Sequence, residues 1–178
     1  VTYDALEREN KGVKTVYSID DVSDGTVIIR SHGEGKKTFD ALQKKGVKIV
    51  DMTCPFVKKI HDIVEKHHNL GYKIIIVGQK NHPEVAGING WCDNSAFITD
   101  GEALPESEVL SGKICVVAQT TCEAEKFDDF LKKLAATGAK TVEIFKTICY
   151  TTIKRQKEAA RLAETCDAVI VLGSFKSN

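Results

Sequence analysis

Short runs of β-branched residues alternate with amphipathic stretches from residue 26 to residue 172, and this alternation commits the chain to parallel βα units. The spacing predicts strands over residues 26–29, 47–50, 73–77, 114–117, 141–144 and 168–172. Helices are predicted over residues 36–45, 56–69, 123–137 and 151–165, with another over residues 2–9. Gly12, Gly46, Gly71 and Gly138 stand where a left-handed cap residue would close each helix. The expected class is α/β, built from small parallel sheets.

An internal repeat sharpens this expectation. Thr53-Cys54-Pro55-Phe56 aligns with Ile148-Cys149-Tyr150-Thr151 at an offset of 95, from position 54 to position 149. Each cysteine precedes a basic amphipathic helix, then a hydrophobic strand that ends in Gly78 or Gly173. A strand-to-helix turn bearing a cysteine has therefore been built twice. The repeat divides the chain into the end of a first α/β domain (1–53), a second domain (54–145) and the opening of a third (146–178).

Composition narrows the function classes. Lysine plus arginine equal aspartate plus glutamate at 25 each, so no overall basic field recruits nucleic acid or an anionic membrane. No apolar run approaches the roughly 20 residues needed to span a bilayer, and a cytoplasmic protein is expected. Val1 is not an initiator methionine and the helix over 2–9 reads as already under way, so a preceding segment is expected. Cys54, Cys92, Cys115, Cys122, Cys149 and Cys166 are widely spread, unlike a secreted disulfide scaffold, and no C-x-x-C pair supports a zinc ribbon. Reduced thiols or metal ligands are the better reading.

Ligands of open parallel sheets bind at the carboxyl ends of strands. The loops there are Ser31-His32-Gly33, Gly78 to Glu84, Ala118-Gln119-Thr120-Thr121 and Gly173 to Asn178. They offer imidazole, hydroxyl and amide groups suited to a small polyanion such as a diphosphate. Neither a Walker A pattern nor G-x-G-x-x-G is present. Cys54 and Cys149 precede helix starts, where amide dipoles favour the thiolate that iron or zinc requires. Cys92, Cys115, Cys122 and Cys166 read instead as small buried hydrophobes. His32 and His82 follow strands and are expected to bind ligand. His61, His67 and His68 fall on a charged helix and its end and read as solvated, as do Lys126, Lys132 and Lys133.

Ser31-His32-Gly33, Asp51-Met52-Thr53-Cys54-Pro55, His82-Pro83-Glu84-Val85-Ala86-Gly87, Gln119-Thr120-Thr121 and Thr147-Ile148-Cys149-Tyr150 with Arg155-Gln156 resemble, in order and spacing, the motifs of LytB-type reductases. The resemblance spans essentially the whole chain. It implies an enzyme of the non-mevalonate isoprenoid pathway that removes the hydroxyl of hydroxymethylbutenyl diphosphate, giving isopentenyl and dimethylallyl diphosphates. It also implies a fold of three pseudo-threefold-related α/β domains around a central 4Fe-4S cluster. Cys54 and Cys149 would be two of the cluster's three thiolates, with the third upstream of Val1. Glu84 would supply a proton for hydroxyl departure and Thr120 would orient the substrate oxygen. His32, His82 and Ser177 would hold the diphosphate, with Gln119, Thr121 and Asn178 beside them. Lys176 and Asn178 stand where the family usually carries an asparagine and a serine. A ferredoxin or flavodoxin is the implied electron donor. As written, the chain is expected not to hold an intact cluster and to be inactive alone. Two other readings stay open: a non-catalytic diphosphate-binding module lacking the cluster, and a metal-free sugar-phosphate or nucleotide-sugar enzyme in which the cysteines are incidental.

Overall fold

The computed structural model describes residues 12–172, which form two parallel sheets flanked by helices. The smaller sheet pairs β1 (Thr26–Ile29) with β2 (Lys48–Asp51), joined through helix α1 (Lys36–Lys44). The larger sheet has the order β4-β3-β5-β6, with β3 Lys73–Val77, β4 Phe97–Thr99, β5 Lys113–Ala118 and β6 Thr141–Phe145, every pair parallel. Helix α2 (Pro55–Asn69) links the two sheets. Within and beyond the larger one lie α3 (Pro83–Asn89), α4 (Ser107–Leu110), α5 (Ala124–Ala136) and α6 (Tyr150–Thr165).

The period of two in a strand explains why β3 and β5 occupy the middle. Ile74 and Ile76 point with Cys115 and Val117 to one face, where Ile60 and Val64 of α2 and Val85 and Ile88 of α3 cover them. Ile75 and Val77 point with Ile114, Val116 and Ala118 to the other, under Phe127, Phe130 and Leu134 of α5. A strand buried on both faces reads as a continuous apolar run, which is what Ile74 to Val77 is. Burying Ile60 or Val64 completely contributes on the order of 1.5–3 kcal/mol each. The smaller sheet rests on a thinner core of Val22, Ile29 and Leu42.

The four helices expected over residues 36–45, 56–69, 123–137 and 151–165 form within a residue of those bounds, and five of the six expected strands form. Gly46, Gly71 and Gly138 do have the positive φ of left-handed caps. The strand expected over 168–172 is absent: these residues join no ladder, and Ile170, Val171 and Leu172 are almost fully exposed. A strand is stabilised by a neighbour's hydrogen bonds, and among the described residues this segment has no neighbouring strand. The helix expected over 2–9 lies outside the described residues.

Further expectations are corrected. His61 and His67 are buried rather than solvated, because they fall on the same face of α2 as Val57, Ile60 and Val64. His67 is held between the Ile63 carbonyl (2.6 Å) and the Glu143 carboxylate (3.1 Å). His68 is half-buried beside Asp93. Cys166 is exposed, since the strand meant to bury it does not form.

Candidate active site

Within each sheet the strands run the same way, so the loops that leave their carboxyl ends gather on one edge of it, and the repeat appears there as a recurring backbone contact. Cys54 N–H donates to the carbonyl of Ser31 at 3.0 Å, and Cys149 N–H to that of Thr120 at 2.9 Å. Ser31 and Thr120 are each the second residue past the end of the neighbouring strand, β1 and β5. Each cysteine is also the N-cap of its helix, α2 or α6, and neither thiol makes a capping hydrogen bond. Two free, half-buried thiols are thus placed by the same device. In the second unit the turn is fastened further by Thr147, whose Oγ1 accepts from Ala118 N–H at 2.8 Å and donates to Ala118 O.

Between these turns lies a polar group in a dry setting. The Glu84 side chain, 3% exposed, comes from the first turn of α3 and takes two hydrogen bonds from one residue: Thr120 N–H to Oε1 and Thr120 Oγ1–H to Oε2, both at 2.7 Å. Pairing a carboxylate with both donors of one threonine fixes its plane. His82 caps the same helix, its Nδ1 accepting from Glu84 N–H at 3.1 Å, so the neutral ring carries its proton on Nε2. The His32 ring meets the His82 ring edge-on at 5.4 Å, and His32 Nδ1 is buried without a partner. Gln119 is buried; its Oε1 accepts from Gln79 N–H and its Nε2 donates to Thr121 Oγ1, both at 2.9 Å.

Electrostatics keep the two imidazoles neutral. Desolvation lowers the pKa of His32, helped by the neighbouring charges of His82 and Arg30 and opposed by Glu84. Desolvation also lowers that of His82, where Glu84 opposes and Arg30 adds. Burial pushes the Cys92 thiol up to about 11, Cys115 to about 12 and Cys122 to about 11, so none readily gives a thiolate ligand. Among the described residues no group of three or more His, Cys, Asp or Glu side chains converges as a metal site.

Of the residues singled out in the sequence, contacts join Glu84, Thr120 and His82 directly, His32 through His82, Gln119 and Thr121 through the same loop, and Cys149 through Thr120. Cys54 is tied to the His32 loop through Ser31. Ser177 and Asn178 lie outside the described residues. The sequence takes His61 as solvated and passes over Trp91, yet both pack behind the His32 loop. The signal for His61 was its helical spacing from Val57, Ile60 and Val64; Trp91, the chain's single tryptophan, carried none.

The family described as "LytB protein" matches residues 3–178. A protein of Caldanaerobacter subterraneus subsp. tengcongensis named 4-hydroxy-3-methylbut-2-enyl diphosphate reductase is 43% identical over 173 residues, covering 96% of this chain and 60% of its own length. One of the same name from Clostridioides difficile is 43% identical over 175 residues, covering 96% and 62%. The solved E-1-hydroxy-2-methyl-but-2-enyl-4-diphosphate reductase of Plasmodium falciparum superposes with a TM-score of 0.85 at 29% identity, over 99% of this chain and 57% of that one. A second solved structure, described as (E)-4-hydroxy-3-methyl-but-2-enyl diphosphate reductase, the terminal enzyme of the non-mevalonate pathway, gives 0.71 at 36% identity, over 98% and 63%. The chain therefore spans about 60% of the length of these relatives. It belongs to the LytB protein family.

Proposed function

We infer that this protein is an iron-sulfur reductase that converts 4-hydroxy-3-methylbut-2-enyl diphosphate to isopentenyl and dimethylallyl diphosphates. The observation that carries the reading is the buried Glu84 carboxyl, clamped by Thr120 beside two neutral imidazoles and within one backbone contact of Cys149. The overall change takes two electrons and two protons into the substrate and releases its hydroxyl as water. Glu84 is the only buried carboxyl among the described residues of this site, and its place suits it to pass a proton to the departing hydroxyl. Thr120 Oγ1 orients the oxygen and relays hydrogen bonds to the carboxyl. Nε2–H of His82 donates to a diphosphate oxygen and His32 holds another, with Gln119, Thr121, Ser177 and Asn178 completing the cradle.

Cys54 and Cys149 fit as two thiolates of a 4Fe-4S cluster: both are free, half-buried and without a capping bond, at the starts of long helices. By the family resemblance a third thiolate would complete the set. When bound, the cluster supplies electrons and Lewis acidity. The electrons arrive from a small carrier protein such as a ferredoxin or flavodoxin. In this reading the domain edges fall after residues 53 and 145, and the third domain opens at 146.

Anaerobic iron and sulfide analysis with a visible spectrum, on the protein at the length of its relatives, tests the reading. About four irons per chain with broad visible absorbance is expected, lost in Cys54→Ala and Cys149→Ala. Glu84→Gln keeps the iron and lowers kcat by roughly 100-fold or more. Iron-free protein after reconstitution, still binding inorganic diphosphate, would leave only a diphosphate-binding module.

A further inference from the structure

The loop that carries His32 is pressed against α3 by groups that belong to neither the carboxyl clamp nor the cysteine turns. A Cβ on Gly33, whose φ is +73°, would sit 2.5 Å from His61 Cε1. A Cβ on Gly90 would stand 2.5 Å from the Gly35 Cα, and one on Gly87 would come 3.4 Å from the Gly33 carbonyl carbon. Only glycine lets the backbones at 35 and 90 approach this closely, and only glycine at 33 leaves room for the His61 ring. Trp91 then fastens it. Its Nε1–H donates to the Glu34 carbonyl at 3.0 Å, and its ring stacks on His61 at 5.2 Å and 20°. The Phe39 ring of α1 lies 6.0 Å from it. His61 is 2% exposed and its Nε2 has no partner, so packing rather than a bond at that nitrogen keeps the ring in place.

We propose that Trp91, with the His61 ring it stacks on, is the positioning residue for diphosphate binding: by holding the Glu34 carbonyl it fixes the 31–35 loop and sets His32 opposite His82. The proposal rests on the reading that these two histidines bind the diphosphate. Trp91 itself touches no substrate. It acts over a short reach, since only Gly33 separates His32 from Glu34, whose carbonyl it grips. A loop tied at one end by Cys54 N–H on Ser31 O and at the other by Trp91 on Glu34 O has both flanks of His32 anchored. Releasing the second anchor lets His32 leave its edge-on contact, and the entropy of ordering the loop is then lost from binding.

The test uses the full-length, cluster-loaded protein with inorganic diphosphate as probe in titration calorimetry, alongside KM and kcat for the substrate. Trp91→Phe keeps a ring but removes the donor; Trp91→Leu removes both. The Kd for diphosphate is expected to rise roughly fivefold in Trp91→Phe, about what one lost hydrogen bond is worth, and more in Trp91→Leu. KM should follow Kd while kcat stays within about twofold, a split that general destabilisation does not produce. Should Trp91→Leu fail to fold, Trp91→Phe decides alone. Unchanged Kd in a variant whose melting temperature falls makes Trp91 a core residue only and overturns the proposal. If His32→Ala also binds diphosphate like the parent, the diphosphate reading fails as well; if His32→Ala is weakened while Trp91→Phe is not, the positioning proposal fails alone.

Discussion

His32 and His82 illustrate how one environment serves two states of a site. Both rings are held neutral, chiefly by desolvation, with Arg30 adding on both and Glu84 working against it. A bound diphosphate brings negative charge that reverses the balance and raises both pKa values. Binding should therefore take up protons, and affinity should strengthen as the pH falls towards the ordinary histidine range. Calorimetry of inorganic diphosphate in buffers of different ionisation enthalpy measures this, with His32→Ala as the reference for protons that the diphosphate itself exchanges. Equal proton counts in parent and variant would remove His32 from the linkage. His61 differs because it stands behind the 31–35 loop, outside the proposed diphosphate cradle. Burial, only partly offset by the Asp51 charge, lowers its pKa from 6.5 to about 4. The unfolded chain then binds a proton that the folded chain refuses, so stability falls as pH drops from 6.5 through 4, by roughly 3 kcal/mol at most. Urea unfolding across that window should show a shallower acid slope for His61→Phe than for the parent; parallel slopes would show that another group carries the loss.

At the scale of elements, what could be foreseen from sequence was what burial on two faces or one strong helical stripe writes into the residues. β3 and β5 were legible because their apolar runs are covered from both sides. β4, three residues at the sheet edge, was not, since Phe97-Ile98-Thr99 is too short to show a period. α3 was hidden because Pro83 to Asn89 carries the chemistry of a loop and only Val85 and Ile88 of a core. The segment 168–172 was over-read for the converse reason: β-branched composition marks a capacity to pair and does not supply the partner. The site was legible as a set of motifs at strand ends, whereas the seam behind it was not, because glycines at 33, 35, 87 and 90 signal a close approach only once both sides are placed together. Gly78 is a comparable junction, between β3 and the Gln119 loop. A Cβ there would lie 2.7 Å from Gln119 Cβ and 3.0 Å from Val85 Cγ2. Gly78→Ala should cost about 1–3 kcal/mol by chemical denaturation, as forced overpacking does. Gly112→Ala, where the nearest atoms are 3.7 Å away, should stay within about 0.5 kcal/mol. Equal losses would mean that the β3 end yields more easily than its contacts suggest.

Taken whole, the described molecule has two cores of unequal depth that share one ligand edge. The larger sheet is sandwiched between helices, and Ile75, Ile76, Val116 and Val117 have no exposed surface. The smaller has two strands, a core of three buried residues, and Ile28 about half exposed. Local opening requires less free energy where fewer apolar groups must be uncovered. Amides of β1 and β2 should therefore exchange with solvent well before those of β3 and β5. The two units meet through the Glu34–Trp91 bond, the glycine contacts and the His32–His82 edge, and the proposed diphosphate is gripped from both sides of that line. A ligand that binds only when the smaller unit is in place stabilises it by mass action, at 100 times its Kd by about 2.7 kcal/mol. Hydrogen exchange in the full-length protein, with and without inorganic diphosphate, should then show protection rising by up to roughly 100-fold at Val27, Ile28 and Ile49, with little change at Ile75 and Val116. Uniform protection of both sheets would mean that they open as one unit, while no gain in β1 and β2 would mean that the anion is held by the larger sheet alone.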